Sequence, residues 1–151
     1  MLPAIAYSIG CVVIAALLTC GYTLTRPIHK KDDFKSWRVM LLMFVFVFTG
    51  PYLYLEAMTS WHGKELDPVI KASYGDLPFT GPMLYYKVRT YNDKEATVMV
   101  VANEKLEWGG TDHPQVQLTL EKKGSSWKTK SYKIWNSERL NIETYIFPVY
   151  W

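Results

Sequence analysis

The sequence predicts two transmembrane α-helices followed by a small α+β domain, in which a short helix packs on a curved antiparallel sheet of four or five strands. Three observations predict this fold class. Residues 1–25 contain no Asp, Glu, Lys or Arg. A second apolar run covers residues 39–58. Beyond residue 83 the apolar side chains recur with the period of two that is typical of strands.

Length and charge exclude several classes of protein. A chain of 151 residues can hold one ordinary domain, or a smaller domain with an anchor, but not a multi-domain enzyme. Its cations are segregated: residues 26–38 hold five cations and two anions, whereas residues 59–151 hold 12 cations and 11 anions. Nucleic-acid binders gather cations on the folded surface, so we expect no nucleic-acid partner.

Both apolar runs are long enough to cross a bilayer. The 23 uncharged residues from Leu2 to Leu24 would form a helix about 34 Å long, against a hydrocarbon core of about 30 Å. The second run, 39–58, has 20 residues and one acid, Glu56, in its last turn. Because proline lacks the helical N–H and collides with the preceding turn, Pro51 predicts a kink near Thr49 or an early end to the regular helix.

A cleaved signal peptide is the competing interpretation of residues 1–25. Signal peptides begin with basic residues and have a shorter apolar region, and neither property is found here. Leu17 to Cys20 resembles a lipoprotein box, but Thr19 stands where that motif has a smaller residue, so Cys20 is interpreted as an ordinary apolar side chain. Cys11 and Cys20, the two cysteines, fall on opposite faces of one helix and cannot form a disulfide with each other.

The loop at residues 26–38 predicts the orientation, because cations near helix ends are retained in the cytoplasm. Its topology determinants are Arg26, Lys30, Lys31, Lys35 and Arg38. With two spans, the N-terminus and residues 59–151 then lie on the other side of the membrane. We therefore expect a multi-pass protein of the cell (inner) membrane with a periplasmic C-terminal domain.

The faces of the two helices predict packing. Small residues at spacings of four allow helices to approach closely, although they are also common in spanning helices generally. The predicted packing positions are Ala6, Gly10, Cys11, Ala15 and Thr19. In the second helix Phe44 and Phe48 share a face and Phe46 points elsewhere; whether these rings meet lipid, protein or a bound pigment or quinone is left open.

The pattern after the second span predicts a linker and then strands. Residues 59–82 form the linker, with a glycine in 59–66 and a short helix at 64–74 whose apolar side chains are Leu66, Val69, Ile70 and Tyr74. Residues 83–151 form the antiparallel domain. Its predicted strands are 83–91, 96–106, 115–122, 126–135 and 144–151. The alternation slips in the fourth, which predicts a bulge near Lys130.

A family resemblance covers residues 96–134. The runs VANEKLEWGG and QVQLTLEKKGSSWKTKSYKI are similar to the closing strands of NTF2-like or cystatin-like α+β domains. The resemblance implies a scaffold that binds small ligands or mediates association, and it transfers no catalytic residue.

The residues that carry chemistry are few and scattered. His29 and His62 fall on opposite membrane faces under the predicted topology, and Glu104 and Glu107 are offset by three on a strand and so point to opposite faces. No zinc or haem spacing, nucleotide loop or serine-hydrolase motif is found in the sequence. We therefore expect a non-catalytic protein without cofactor or metal.

The aromatic residues of the C-terminal domain predict an interface, since exposed Trp and Tyr are frequent anchors of protein contacts. The interface candidates are Trp108, Trp127, Trp135, Trp151, Asp112 and His113. The expected role is an accessory or stabilising subunit of a larger membrane complex, for example an energy-converting one, respiratory or photosynthetic, with membrane lipids and other integral membrane subunits as partners. The alternative is a membrane-tethered ligand-binding or sensory domain of NTF2-like type.

Overall fold

The computed structural model describes residues 2–25, 35–144 and 146, with side chains from residue 4 onward. The chain forms two compact units, Met1–Leu53 and Tyr54–Trp151. Helix α1 spans Leu2–Thr25 and helix α2 spans Ser36–Gly75. Both helices are long enough and apolar enough to cross a membrane. The two predicted apolar helices are therefore confirmed by length and composition.

Helix α2 differs from the prediction because it does not end at residue 58. It continues to Gly75, so the linker predicted at 59–66 and the short helix predicted at 64–74 are parts of one helix. Pro51 does not end it early. No separate helix packs on the sheet among the described residues. The apolar side chains beyond residue 58 keep the helical spacing, and they continue to be buried, which holds the helical backbone past the predicted stop.

Gly63, the glycine of the predicted linker, lies within α2, where the first strand of the sheet approaches the helix backbone closely. The Tyr86 hydroxyl donates to the Gly63 carbonyl oxygen at 3.1 Å. A Cβ at position 63 would lie 3.3 Å from that hydroxyl oxygen. Glycine therefore lets the first strand approach the helix backbone, and its conformational freedom is not used to turn the chain.

The sheet is the antiparallel meander that the sequence predicts. Its five strands are β1 (Met83–Tyr91), β2 (Glu95–Ala102), β5 (Gln115–Lys123), β6 (Ser126–Ser137) and β7 (Ile142–Glu143), paired in the order β1-β2-β5-β6-β7. A separate two-stranded ribbon, β3 (Glu104–Lys105) with β4 (Thr111–Asp112), lies between β2 and β5 in the chain. The predicted strand 96–106 is thus divided after Ala102.

Two details of the strand predictions have clear outcomes. The bulge near Lys130 is confirmed, since Thr119 pairs with Ser131 and the next residue, Leu120, pairs with Thr129. The final strand was predicted to begin at Thr144, but Thr144 is not in a strand. The last strand, β7, ends one residue earlier, at Glu143. The remainder of that prediction, at residues 145 and 147–151, lies outside the described residues.

One hydrophobic core joins the last turns of α2 to the sheet. Leu66 and Ile70 of α2 are fully buried with Val116, Leu118 and Leu120 of β5 in a single cluster. These are the side chains that the helical and strand periods predict to face a core. A smaller cluster contains Leu55, Met99, Val101 and Ile146. Burial of these side chains stabilises the C-terminal unit.

Truncation of Leu118 to alanine should lower the free energy of unfolding of the C-terminal unit by about 2–5 kcal/mol, because it removes transfer free energy and leaves a cavity. Leu84→Ala is the matched control: Leu84 is an exposed strand leucine, and its truncation should change stability by about 0.5 kcal/mol or less. Denaturant unfolding of the purified full chain in detergent measures both. Equal losses would contradict the described core.

Candidate functional site

Residues 4–25 and 35–53 contain a helix pair with one buried face. The ridge of Cys11, Ala15 and Thr19 is buried on α1, while Cys20 is exposed. Small side chains at this spacing allow a neighbouring helix to approach closely. Of the second predicted small pair, Gly10 is half-buried and Ala6 is exposed.

Aromatic side chains also connect α1 and α2. The Tyr7 hydroxyl of α1 donates to the Phe48 carbonyl oxygen of α2 at 2.6 Å, and the two rings lie 5.1 Å apart. Phe44 and Phe48 are 5.6 Å apart along α2, whereas Phe46 is 70% exposed. The predicted division of the three phenylalanines into two faces is thus confirmed. Phe48 contacts α1 inside the unit, and Phe46 faces outward.

The second unit contains a polar cluster centred on Glu65. Its carboxylate accepts hydrogen bonds from Trp127 Nε1 at 2.8 Å, the Tyr91 hydroxyl at 2.7 Å and Lys122 Nζ at 3.1 Å. The His62 ring, one helical turn before Glu65, stacks on Tyr91 at 3.8 Å and 11°. We call these five residues the Glu65 cluster. It connects α2 to three strands of the sheet.

Hydrogen bonds within the Glu65 cluster shift the pKa values of Glu65 and Tyr91 in opposite directions. The hydrogen bonds from Trp127, Tyr91 and Lys122 lower the pKa of Glu65 to about 2. The hydrogen bond to that carboxylate raises the pKa of Tyr91 to about 12. Glu65 is therefore ionised and Tyr91 neutral throughout the physiological pH range. A pair held this way anchors the helix and is poorly matched to proton transfer near pH 7.

Two buried carboxylates anchor the β3–β4 ribbon. Glu104 and Asp112 face each other in its register and are 1% and 7% exposed. Glu104 accepts a hydrogen bond from the Thr80 backbone N–H at 2.9 Å and pairs with Arg139 Nε at 3.4 Å. Asp112 accepts the Glu138 backbone N–H at 2.8 Å. The turn before β7 is thus tied to the ribbon through both acids.

The anchored ribbon carries Trp108 at its tip. The Leu106 N–H donates to the Gly110 carbonyl oxygen at 2.9 Å, which closes the connecting turn. Trp108 is 72% exposed, and a Cβ at position 110 would overlap its ring. Glycine at 110 is therefore what permits the indole to lie over the turn. We call residues 104–112 the Trp108 hairpin.

A cavity of about 440 Å³ lies between the end of α2 and the bulge in β6. Its polar lining comes from both sides, and the buried Ser73 hydroxyl is hydrogen-bonded to the Thr129 hydroxyl. The lining residues are Ser73, Asp76, Leu77, Leu118, Thr129, Lys130, Ser131 and Tyr132. Its volume falls within the range of small-molecule pockets.

The predicted interface residues have different surroundings. Trp108 and His113 are exposed, and Asp112, within the Trp108 hairpin, is buried. Trp127 is 8% exposed and lies in the Glu65 cluster, while Trp135 is half-buried and donates to Gln117 at 3.1 Å. Trp151 lies outside the described residues. Of the three predicted tryptophans that the structure describes, Trp108 is therefore the one that is exposed.

The remaining predicted residues can also be placed. Lys35 and Arg38 are exposed at the start of α2, while Arg26, Lys30 and Lys31 lie outside the described residues. In the described part of the chain, no group of three or more His, Cys, Asp or Glu side chains is arranged to hold a metal.

Sequence reasoning missed Glu65 and the pairing of Glu104 with Asp112. Glu65 falls within the short helix predicted at 64–74, but its three partners lie on distant strands, which no local spacing indicates. Glu104 was compared with Glu107 along one strand, whereas its partner lies across the turn. Only the register of the ribbon brings those two carboxylates together.

Comparisons with known proteins assign no family. No family model, no curated protein and no solved structure matches the chain significantly. The resemblance of residues 96–134 to NTF2-like or cystatin-like domains stays a sequence-based prediction.

Replacing Glu65 with glutamine should destabilise the C-terminal unit by about 1–2 kcal/mol at pH 7, since three donors lose an ionised acceptor that is partly exposed to solvent. Because the folded pKa of Glu65 is depressed, the wild-type advantage should be complete above pH 4.5 and disappear as pH falls towards 2. Unfolding of the full chain in detergent across this pH range tests both effects. Glu121→Gln, at an exposed ion pair with Lys123, is the control and should change stability little.

Replacing Arg139 with methionine should destabilise the Trp108 hairpin by about 3 kcal/mol, because the Glu104 carboxylate stays buried without its cation. Adding Glu104→Gln to that variant should recover part of the loss. A double-mutant cycle of unfolding free energies measures the coupling. Additive losses in the cycle would mean that the two side chains do not interact.

Proposed function

We propose that this protein is a non-catalytic accessory or stabilising subunit of a larger membrane complex, anchored by two spans. The observation that supports it best is the apolar surface of residues 4–25 and 35–53. Ile9, Leu17, Leu42 and Leu53 are among the many large apolar side chains exposed on α1 and on the first half of α2. In water each such side chain costs about 1.5–3 kcal/mol relative to burial, and a bilayer removes that cost.

The proposed orientation has the loop in the cytoplasm, with the N-terminus and the C-terminal unit in the periplasm. The net charge of +3 at residues 26–38 supports it, because cations in short loops are retained inside. Lys35 and Arg38, both exposed, are the described members of that set. Trp37 beside them is also exposed, as is typical of aromatic residues at a membrane boundary.

The Trp108 hairpin supports an interaction role for the periplasmic unit. An indole that is held over a closed turn, on a ribbon anchored by two carboxylates, loses little conformational entropy when a partner binds it. Exposed His113 directly follows β4 and adds a polar contact. We propose that this hairpin contacts the outer surface of another integral membrane subunit; respiratory and photosynthetic complexes are the candidate hosts.

A second function, the binding of a small ligand by a membrane-tethered domain, is supported by the cavity at the end of α2. Asp76, Lys130 and Tyr132 offer an anion, a cation and an aromatic ring around a space of about 440 Å³. This is the arrangement by which a pocket orients a small polar molecule.

The subunit hypothesis predicts a partner protein that co-purifies with this chain and whose binding depends on Trp108. The protein extracted in mild detergent should run as a complex of fixed stoichiometry, and Trp108→Ala should weaken that complex about thirtyfold, the effect of losing an interface anchor of about 2 kcal/mol. Trp61→Ala, at another exposed tryptophan, is the matched control and should leave the complex intact. A wild-type protein that purifies at its own mass without companions would contradict the subunit role and favour ligand binding.

The orientation has its own test. A reporter that is active only in the cytoplasm should be silent when fused after Trp151 and active when inserted between residues 29 and 30. The opposite pattern would invert the topology.

A further inference from the structure

An apolar groove runs along the outside of the helix pair near the start of α2. Trp37, Met40, Leu41 and Phe44 have the spacing i, i+3, i+4 and i+7 and so form one stripe, which spans about 10 Å of helix. Val12 of α1 forms the opposite wall, and the groove encloses about 310 Å³. All five lining side chains are apolar or aromatic. The described residues of this unit leave the groove open to the outside.

Positive charge stands at one end of this groove. The Arg38 guanidinium lies over the Trp37 ring, 5.6 Å from its centroid, and Arg38 is exposed. Lys35 is exposed one turn earlier. The chain just before α2 belongs to the stretch 26–38 with its net charge of +3. The opposite end of the stripe, at Phe44, lies in a run without charge from residue 39 to 55.

We propose that this groove binds one anionic phospholipid, with an acyl chain along the stripe of α2 and its phosphate beside Arg38. The inference rests on the proposed membrane placement. A long apolar groove with cations at one end only is complementary to a molecule that has an anionic head and an apolar tail. The Trp37 ring lies between the two parts, where an amphipathic ring is best accommodated. The lipid comes from the cytoplasmic leaflet under the proposed orientation.

The occupant follows from charge and shape together. A neutral apolar molecule would gain nothing from Arg38, and a zwitterionic lipid would bring a cation of its own towards it. A partner helix would need a longer stripe than about two turns to be held firmly. An anionic lipid uses both the groove and the guanidinium.

Quenching of Trp37 fluorescence by brominated acyl chains tests the proposal in the full chain reconstituted into neutral bilayers. The Trp37 signal is the difference between wild type and Trp37→Phe. At a small, fixed fraction of brominated lipid, the anionic form should occupy the groove about fivefold more readily than the zwitterionic form, which is the effect of about 1 kcal/mol from one basic residue near a lipid headgroup.

Variants at the cationic end locate the headgroup. Arg38→Gln should abolish the preference for anionic lipid, while Arg38→Lys should retain most of it. Lys128→Gln removes the same charge from an exposed site in the C-terminal unit and should leave the preference unchanged. Retention of the preference in Arg38→Gln would overturn the proposed site.

The quenching experiment distinguishes a wrong lipid site from a wrong membrane placement. Equal quenching of Trp37 by both brominated lipids overturns the lipid site and leaves the placement standing. Absence of quenching by either lipid, in a protein that stays dispersed without detergent, overturns the placement itself. A Trp37 signal quenched preferentially by the anionic lipid supports the inference.

Discussion

Helix α2 contributes residues to both compact units, and the packing of the C-terminal unit depends on its second half. Up to residue 53 its exposed side chains are mostly apolar. Glu56, further along the helix, pairs with Lys87. The Thr59 hydroxyl oxygen accepts the Val88 backbone N–H at 2.9 Å, and Leu66 and Ile70 enter the core. Residues 54–75 of α2 are therefore held in the C-terminal unit by an ion pair, a hydrogen bond and apolar burial.

Hydrogen-bonded carboxylates connect the elements of the C-terminal unit outside its apolar core. Glu65 receives three donors from three strands, and each of those donors would otherwise need water. The carboxylates of Glu104 and Asp112 do the same for the ribbon and the turn before β7. These contacts anchor both strands of the Trp108 hairpin.

The periodicity of apolar residues in the sequence explains which elements of the fold could be predicted. The two apolar helices, the antiparallel order of the strands, the buried face of β5 and the bulge at Lys130 follow from patterns that a reader finds within about ten neighbouring residues. The continuation of α2 could not be found in this way. Gly63 and Pro68 are poor helix residues, and only contacts with the distant strand β1 and the core outweigh their local preference.

By itself, the sequence determined the segregation of the chain into an apolar helical part and a mixed strand-forming part, because the burial period is a local property of side chains. It also determined which face of α2 enters the core, since Leu66 and Ile70 are buried. Only the tertiary structure decided which polar groups meet. Glu65 and Trp127 are 62 residues apart in the chain, and Glu104 and Arg139 are 35 apart. Pairing at such separations depends on strand register and packing, which no local sequence pattern encodes.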